Sequence, residues 1–362
     1  MRVVVVGAGY AGTIAANRLA KRVPDAEITI VNDRPEFVER VRLHQQTAGT
    51  GGAATPLSSM LRKGIAFRLG TAVKIGGNQV VLADGEQLGF DYAVIATGGS
   101  VHPIPGSIPV GTWEGARAAE GRLTALQDGG DVTVVGGGLT GIETASEIAR
   151  SRKGLKVRLV ADEFAAGLSD GARRKVRKSL EKAGVEILAD RIVGISQGRG
   201  RDVVRLASGS AFESDVTLWA VISGVSDFVA QSGLAVDERG RALVDRFLRS
   251  EGSPNVFVVG DCAAVPGARP SCATASPQGA HTADNLRRIS RGKDLEPYSM
   301  GYVGQAVGLG GMNALMQLVR SDDSPRNLYF SGFFAAVTKE IVSRYAKFGS
   351  RTAIYVWRKG RI

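Results

Sequence analysis

The sequence predicts an α/β protein in which one parallel-sheet unit is inserted into another, followed by a small C-terminal α+β region. Two observations carry this. A β-branched strand, a glycine loop, a helix and a second strand follow one another at residues 2–31, and the same succession recurs at 131–160. A further buried-strand pattern, 255–259, lies well beyond the second succession, where the first unit can reclaim it. Continuous apolar strands of this kind suit a parallel sheet covered on both faces.

The elements follow in order. Residues 2–6 (RVVVV) form the first strand and run directly into Gly7, Gly9 and Gly12, at G-x-G-x-x-G spacing. The first glycine permits a tight strand-to-helix turn, the second lets backbone approach a pyrophosphate, and the third lets helix pack on strand. Residues 13–22 continue as a helix offering Ile14, Ala15, Leu19 and Ala20 for packing, and 27–31 is the second strand. A ribose-binding acid belongs about 20 residues past the glycines. Asn32 occupies that slot and Asp33 follows; either can meet a ribose hydroxyl, and Asp33 also suits the start of a turn with Arg34-Pro35.

Residues 91–95 form a strand leading into Ala96-Thr97-Gly98-Gly99, and Pro103 and Pro105 then mark a linker. The second unit opens with the strand 131–135 and continues through Gly136, Gly138 and Gly141, the helix 142–150 and the strand 156–160. Strand material at 212–223 closes it, and 255–259 ends in Gly260-Asp261 before a helix over 276–290. Two complete fingerprints imply two Rossmann-like domains and two dinucleotides, FAD in one and NAD(P)H in the other. The expected division is 1–105 with 246–300 for FAD, 106–245 for NAD(P)H, and 301–362 as an acceptor-side or interface region.

Composition narrows the classes. The chain has 362 residues, 44% hydrophobic and 22% charged, enough to bury a core without disulfides. Its two cysteines fit a reducing, cytoplasmic setting. Three histidines without ligand spacing argue against a metal site. No apolar run reaches the ~18 residues a spanning helix needs. The opening MRVVVV is too short for a signal-peptide core and reads as a core strand. The net charge of +11 gathers at 173–178 and 344–361. Neither stretch carries a nucleic-acid motif, so phosphate-bearing small ligands are the expected partners.

Four segments, VVVGAGYAG at 4–12, VIATGG at 94–99, VVGGGLTGIETASEIA at 134–149 and NVFVVGDCA at 255–263, resemble the two-dinucleotide-binding-domain flavoproteins of the pyridine nucleotide-disulfide oxidoreductase superfamily. Within that superfamily the chain looks most like the type II NADH dehydrogenase and apoptosis-inducing-factor-like branch. The resemblance implies that Gly7, Gly9 and Gly12 cradle the FAD pyrophosphate, with Gly136, Gly138 and Gly141 doing the same for NAD(P)H. It places Thr97 and Gly98 beside the cofactor where the domains join. Gly260 and Asp261 would meet the flavin ribitol or phosphate side, with helix N-capping as the alternative for Asp261. Glu143 would stand near nicotinamide and flavin, with a plain helix-face charge as its alternative. Hydride would pass from nicotinamide to flavin, and electrons from flavin to an acceptor.

Departures from the family pattern matter too. Thiol-disulfide members carry CxxxxC or CxxC, whereas Cys262 and Cys272 are ten apart. Quinone-reducing members carry glutamines after the Gly-Asp motif, and here only Gln278 matches. Their long C-terminal membrane-binding helices are expected to be missing. In the segment 39–45, Arg42 and His44 are candidates to meet flavin or acceptor, while structural hydrogen bonding is the alternative for His44. The tail at 352–357 reads as a β-strand with solvated flanking charges, rather than a foot on anionic lipid. Asp162 and Glu163, just after the strand 156–160, favour NADH over NADPH, while Arg173 and Arg174 offer a route to a 2′-phosphate.

The expected activity is that of an FAD-dependent NAD(P)H oxidoreductase with a quinone-like or other small-molecule acceptor, acting as monomer or homodimer. The alternatives are a flavin-dependent tailoring enzyme of small-molecule biosynthesis, a reductase of an electron-transfer protein such as an iron–sulfur protein, and a flavin-bound interaction or redox-sensing protein.

Overall fold

The computed structural model describes residues 1–198 and 200–360. Strand Arg2–Val6 lies at the centre of a six-stranded sheet, and Val3, Val4, Val5 and Val6 are all buried in it. The strand pairs in parallel with Glu27–Asn32 on one side and Tyr92–Ile95 on the other. Ile65–Leu69 extends the sheet beyond Glu27–Asn32, and Ser253–Val258 extends it beyond Tyr92–Ile95. The short strand Arg249–Ser250 closes that edge antiparallel. One sheet thus takes strands from both sides of the second nucleotide unit, as the late strand pattern predicted.

The second unit is a five-stranded parallel sheet in the order Ile108–Pro109, Val216–Trp219, Asp131–Val135, Lys156–Val160, Val185–Leu188. Helices Trp113–Ala125, Leu139–Ser151 and Asp170–Lys182 pack on it around a core that includes Leu123, Ile142, Ile148, Val176 and Leu180. A three-stranded antiparallel sheet, Ile192–Gln197, Asp202–Leu206 and Ala211–Ser214, is attached to it.

The two crossings between the units pair with each other: Gly99–Ser100 runs antiparallel to Gly224–Val225. The stretch after the second crossing, counted with the inserted unit from sequence, packs Phe228, Val229 and Ala242 into the outer core. Its short strand Ala242–Leu243 pairs with Ala263–Ala264, directly after the Gly-Asp motif.

The C-terminal region is a three-stranded antiparallel sheet, Gly304–Gly308, Ala314–Val319 and Pro325–Gly332, followed by the helix Phe333–Thr352. Two sequence expectations fail here. Residues 352–357 are not a strand: the helix runs to Thr352, Ala353 turns it off with φ +62°, and the chain beyond has no ladder partner among the described residues. Instead Val356 N–H donates to the Tyr345 hydroxyl at 2.8 Å and Trp357 Nε1 to Ser299 O at 3.0 Å. Aromatic and β-branched residues suit a pleated surface, but only a partner strand makes one. The second failure is the missing C-terminal helix, since one of 20 residues is present.

That helix is fastened to the outer unit along its length. Glu340 binds Arg42, Lys347 binds Glu39 and Thr55, and Asn17 and Arg18 donate to the carbonyls of Ser350 and Ala353 at the helix end. Those last carbonyls lack intrahelical partners, so the two side chains serve as its cap.

Candidate functional site

The two glycine loops share one geometry. Gly7 and Gly136 take φ +99° and +118°, a region that disfavours residues with a Cβ. A Cβ on Gly12 would stand 1.8 Å from Gly7 O, and one on Gly141 would stand 1.8 Å from Gly136 O. The middle glycines, Gly9 and Gly138, face open space within 4 Å. Helices Tyr10–Arg22 and Leu139–Ser151 begin there with no side-chain cap and no acid in the first turn. Free N–H groups at a helix start, with room above a glycine, form a cradle for a phosphate anion. Both loops therefore fit a dinucleotide.

Around the first loop the predicted residues converge, with specific local tasks. Asn32 Oδ1 accepts from Ala8 N–H at 2.9 Å, and its Nδ2 donates to Arg34 O at 2.8 Å. Asn32 therefore shapes the glycine loop, whereas Asp33 pairs with Arg34 at 3.0 Å near the surface. Gly98 and Gly260 take positive φ where the two motifs turn. Thr97 Oγ1 is buried in the Ala-Thr-Gly turn beside the Cys262 thiol. Gly260 N–H donates to Gln278 Oε1 at 2.6 Å, so the glutamine oxygen is held at the Gly-Asp motif. Burial pushes the Asp261 carboxyl above its ordinary value, against the opposing pull of Arg40 at 3.8 Å.

Arg40 was missed from the sequence. Its guanidinium donates to Gly99 O at 3.1 Å and Gly111 O at 3.3 Å, besides facing Asp261. It thus joins the Ala-Thr-Gly turn, the Gly-Asp motif and the start of the inserted unit. The only sequence signal was its place in the basic segment 39–45. Arg42, the neighbour chosen instead, is bound by Glu39, Gln45 and both oxygens of Glu340.

Glu143 and His44, from different units, meet in a polar seam. Glu143 Oε1 accepts from Gly308 N–H at 2.8 Å and lies 3.1 Å from Lys339 Nζ. Its Oε2 lies 3.6 Å from His44 Nδ1. Burial pushes the Glu143 carboxyl up, but Lys339, His44 and the Gly308 amide outweigh it and hold it below its ordinary value. Burial lowers His44, with Glu143 pulling back against that. One turn along the same helix, Glu147 accepts from Thr50 Oγ1 at 2.7 Å. Lys339 was not foreseen, because it lies outside the basic stretch 344–361 and no motif marks it.

On the far side of the inserted unit Asp162 is exposed, and its Oδ1 accepts from Glu163 N–H at 2.9 Å. Arg173 turns to Leu168 O at 3.3 Å, while Arg174 is exposed. Cys262 and Cys272 are free thiols. Burial raises both, Cys272 to about 11, which opposes thiolate formation. Among the described residues no cluster of histidine, cysteine and carboxylates could hold a metal.

Two parallel-sheet nucleotide units, one inserted in the other, each carry a glycine loop that fits a dinucleotide. Residues 1–285 match the family described as pyridine nucleotide-disulphide oxidoreductase, and the chain belongs to it. It is accordingly an FAD- and NAD(P)H-dependent oxidoreductase. It is 32% identical over 282 residues to ferroptosis suppressor protein 1 of Taeniopygia guttata, covering 73% of this chain and 74% of that protein. It is 30% identical over 297 residues to an NADH dehydrogenase-like protein of Mycobacterium tuberculosis, covering 73% of each. Among solved structures, the sulfide:quinone oxidoreductase of Aquifex aeolicus superposes with a TM-score of 0.81 at 21% identity, covering 97% of this chain and 91% of that one.

Proposed function

We propose that the protein oxidises NADH and passes the electrons to a lipophilic, quinone-like acceptor that approaches along the C-terminal helix. The observation that carries this reading is the two-sidedness of Phe333–Thr352. One side sends Lys339 to Glu143. Phe334, Ile341, Tyr345 and Phe348, spaced along another side, are exposed, with Phe334 at 77%. At 100° per residue, Lys339 and Ile341 point roughly opposite ways. An exposed apolar stripe on a basic helix suits contact with a lipid surface rather than water. Among the described residues no helix is long and apolar enough to cross a membrane, so such contact would be peripheral.

FAD, when bound, would supply hydride acceptance from the nicotinamide and onward electron transfer. The chain's own groups bind and orient. The uncapped helix starts at Gly9 and Gly138 would hold the two pyrophosphates. Arg40 ties the Ala-Thr-Gly turn to the inserted unit. Glu143 is kept ionised beside Lys339, whose Nζ lies 3.1 Å from its Oε1.

Stopped-flow reoxidation tests the reading. Flavoprotein reduced anaerobically with NADH is mixed in turn with short-chain quinones, dioxygen and oxidised ferredoxin. Fastest reoxidation by quinone, accelerated by anionic vesicles, is expected. Faster reoxidation by ferredoxin would replace this reading with reduction of an electron-transfer protein.

A further inference from the structure

His44 lies on the short helix Leu43–Ala48 of the outer unit with 5% of its surface exposed. The Glu143 oxygens are divided between partners. Oε1 takes the Gly308 amide and the Lys339 ammonium, and Oε2 faces His44 Nδ1. The charged groups facing the imidazole are Glu143 and Glu147 from Leu139–Ser151, Lys339 from the C-terminal helix, and Arg42 from its own segment. Two of these are already occupied, Glu147 by Thr50 and Arg42 by Glu39 and Glu340. Glu143 Oε2, 3.6 Å from Nδ1, is a carboxylate oxygen facing this buried imidazole.

We propose that His44 is a positioning residue: its Nδ1, 3.6 Å from Glu143 Oε2 and just beyond hydrogen-bond length, is a polar neighbour that favours the rotamer presenting Oε1 to Lys339 and Gly308. The role rests on Glu143 standing in the active site. It spans the seam between the two units, because His44 belongs to one and Glu143 to the other. A carboxylate held by only one oxygen can rotate about its last torsion; a polar neighbour at the second oxygen limits that freedom. When pH falls and Nε2 takes a proton, the imidazolium competes with Lys339 for the same carboxylate. The arrangement of Glu143 then becomes pH-dependent through His44, not through Glu143 itself.

The chain has three histidines, so their ring Cε1–H resonances can be followed individually by NMR, with His44→Phe assigning the signal. His44 should titrate below its ordinary 6.5. Glu143→Gln should shift the midpoint further down and Lys339→Met should shift it up, following the sign of the charge each removes. In parallel, the rate of flavin reduction by NADH is recorded from pH 5.5 to 8. His44→Phe should slow it about tenfold and abolish the pH step assigned to His44, and His44→Asn, which restores a donor, should recover most of the rate. An unmoved His44 midpoint in Glu143→Gln would show that the imidazole does not meet the carboxylate. A wild-type pH profile in His44→Phe would show that it does not position it. If His44→Phe fails to fold, the titration in Glu143→Gln still decides. Failure of the quinone reading leaves the NMR result untouched, so the two are distinguishable.

Discussion

Lys339 Nζ lies 3.1 Å from Glu143 Oε1, joining the C-terminal helix to the inserted nucleotide unit. Both side chains are largely buried, at 19% and 12% exposure, and in such a setting removing one charge costs more than removing both. Lys339→Met should therefore destabilise the protein by about 3–5 kcal/mol, and Lys339→Met with Glu143→Gln by much less. Urea unfolding of the two single variants and the double variant, read as a cycle, checks this; additive costs would show that the pair does not interact.

The same seam sets a pH dependence. Glu143 is held below its ordinary 4.5, so its stabilisation is present above that value and is lost as pH falls through the lower, folded one. His44 is also held low, at a site where burial disfavours the charged ring. Below 6.5 the unfolded chain therefore binds a proton that the folded chain refuses, and stability declines until the folded midpoint is reached. The difference in Tm between wild type and His44→Phe should narrow from pH 7.5 to pH 5.5. A constant difference would contradict the assignment.

The glycine loops predict separable losses. Gly12→Ala sets a Cβ against Gly7 O and should yield protein without a flavin spectrum. Gly141→Ala makes the matching clash with Gly136 O in the inserted unit. It should retain FAD and lose affinity for pyridine nucleotide at least tenfold, about 1.4 kcal/mol. Absorbance spectra and NAD⁺ titration followed by flavin fluorescence distinguish the two outcomes. Loss of flavin from both variants would mean that the units do not fold independently enough for this separation.

These loops were legible in the sequence because Gly12 and Gly141 answer a backbone oxygen five residues back, and Gly7 and Gly136 a local positive φ, so their spacing is fixed within the loop itself. The seam was legible in part. Glu143 and His44 stood out as candidates, but Lys339 comes from a helix that the sequence disguised, with its tail patterned like a strand. Arg40 was hidden differently. Its partners, Gly99, Gly111 and Asp261, are brought together only by the insertion of one unit into the other. The tail 352–357 shows the limit of local pattern, since alternation names a face but not a neighbour to pair with.

The cysteines should be dispensable. Cys262 is buried, with Sγ 3.3 Å from Val259 O, and burial raises both thiols away from the reactive thiolate. The double variant Cys262→Ser with Cys272→Ser should oxidise NADH within a few-fold of wild type. A folded double variant slowed more than about a hundredfold, near 3 kcal/mol in the barrier, would reveal thiol chemistry.

NADH should be preferred to NADPH. Asp162 is exposed just past the strand Lys156–Val160, where a carboxylate accepts from ribose hydroxyls and repels a 2′-phosphate. Arg173 is turned toward Leu168 O. Second-order constants for flavin reduction by each coenzyme at fixed ionic strength decide the matter. A larger constant for NADPH would transfer the role to Arg173 and Arg174.

The paired crossings Gly99–Ser100 and Gly224–Val225 give the architecture a property that neither site needs. Antiparallel partners stand about 5 Å apart, so the outer unit's chain is nearly continuous across the point where the inserted one leaves and returns. The backbone path of the flavin half is thereby nearly closed without the pyridine-nucleotide half, a geometric condition for gaining or losing one unit without stretching the other.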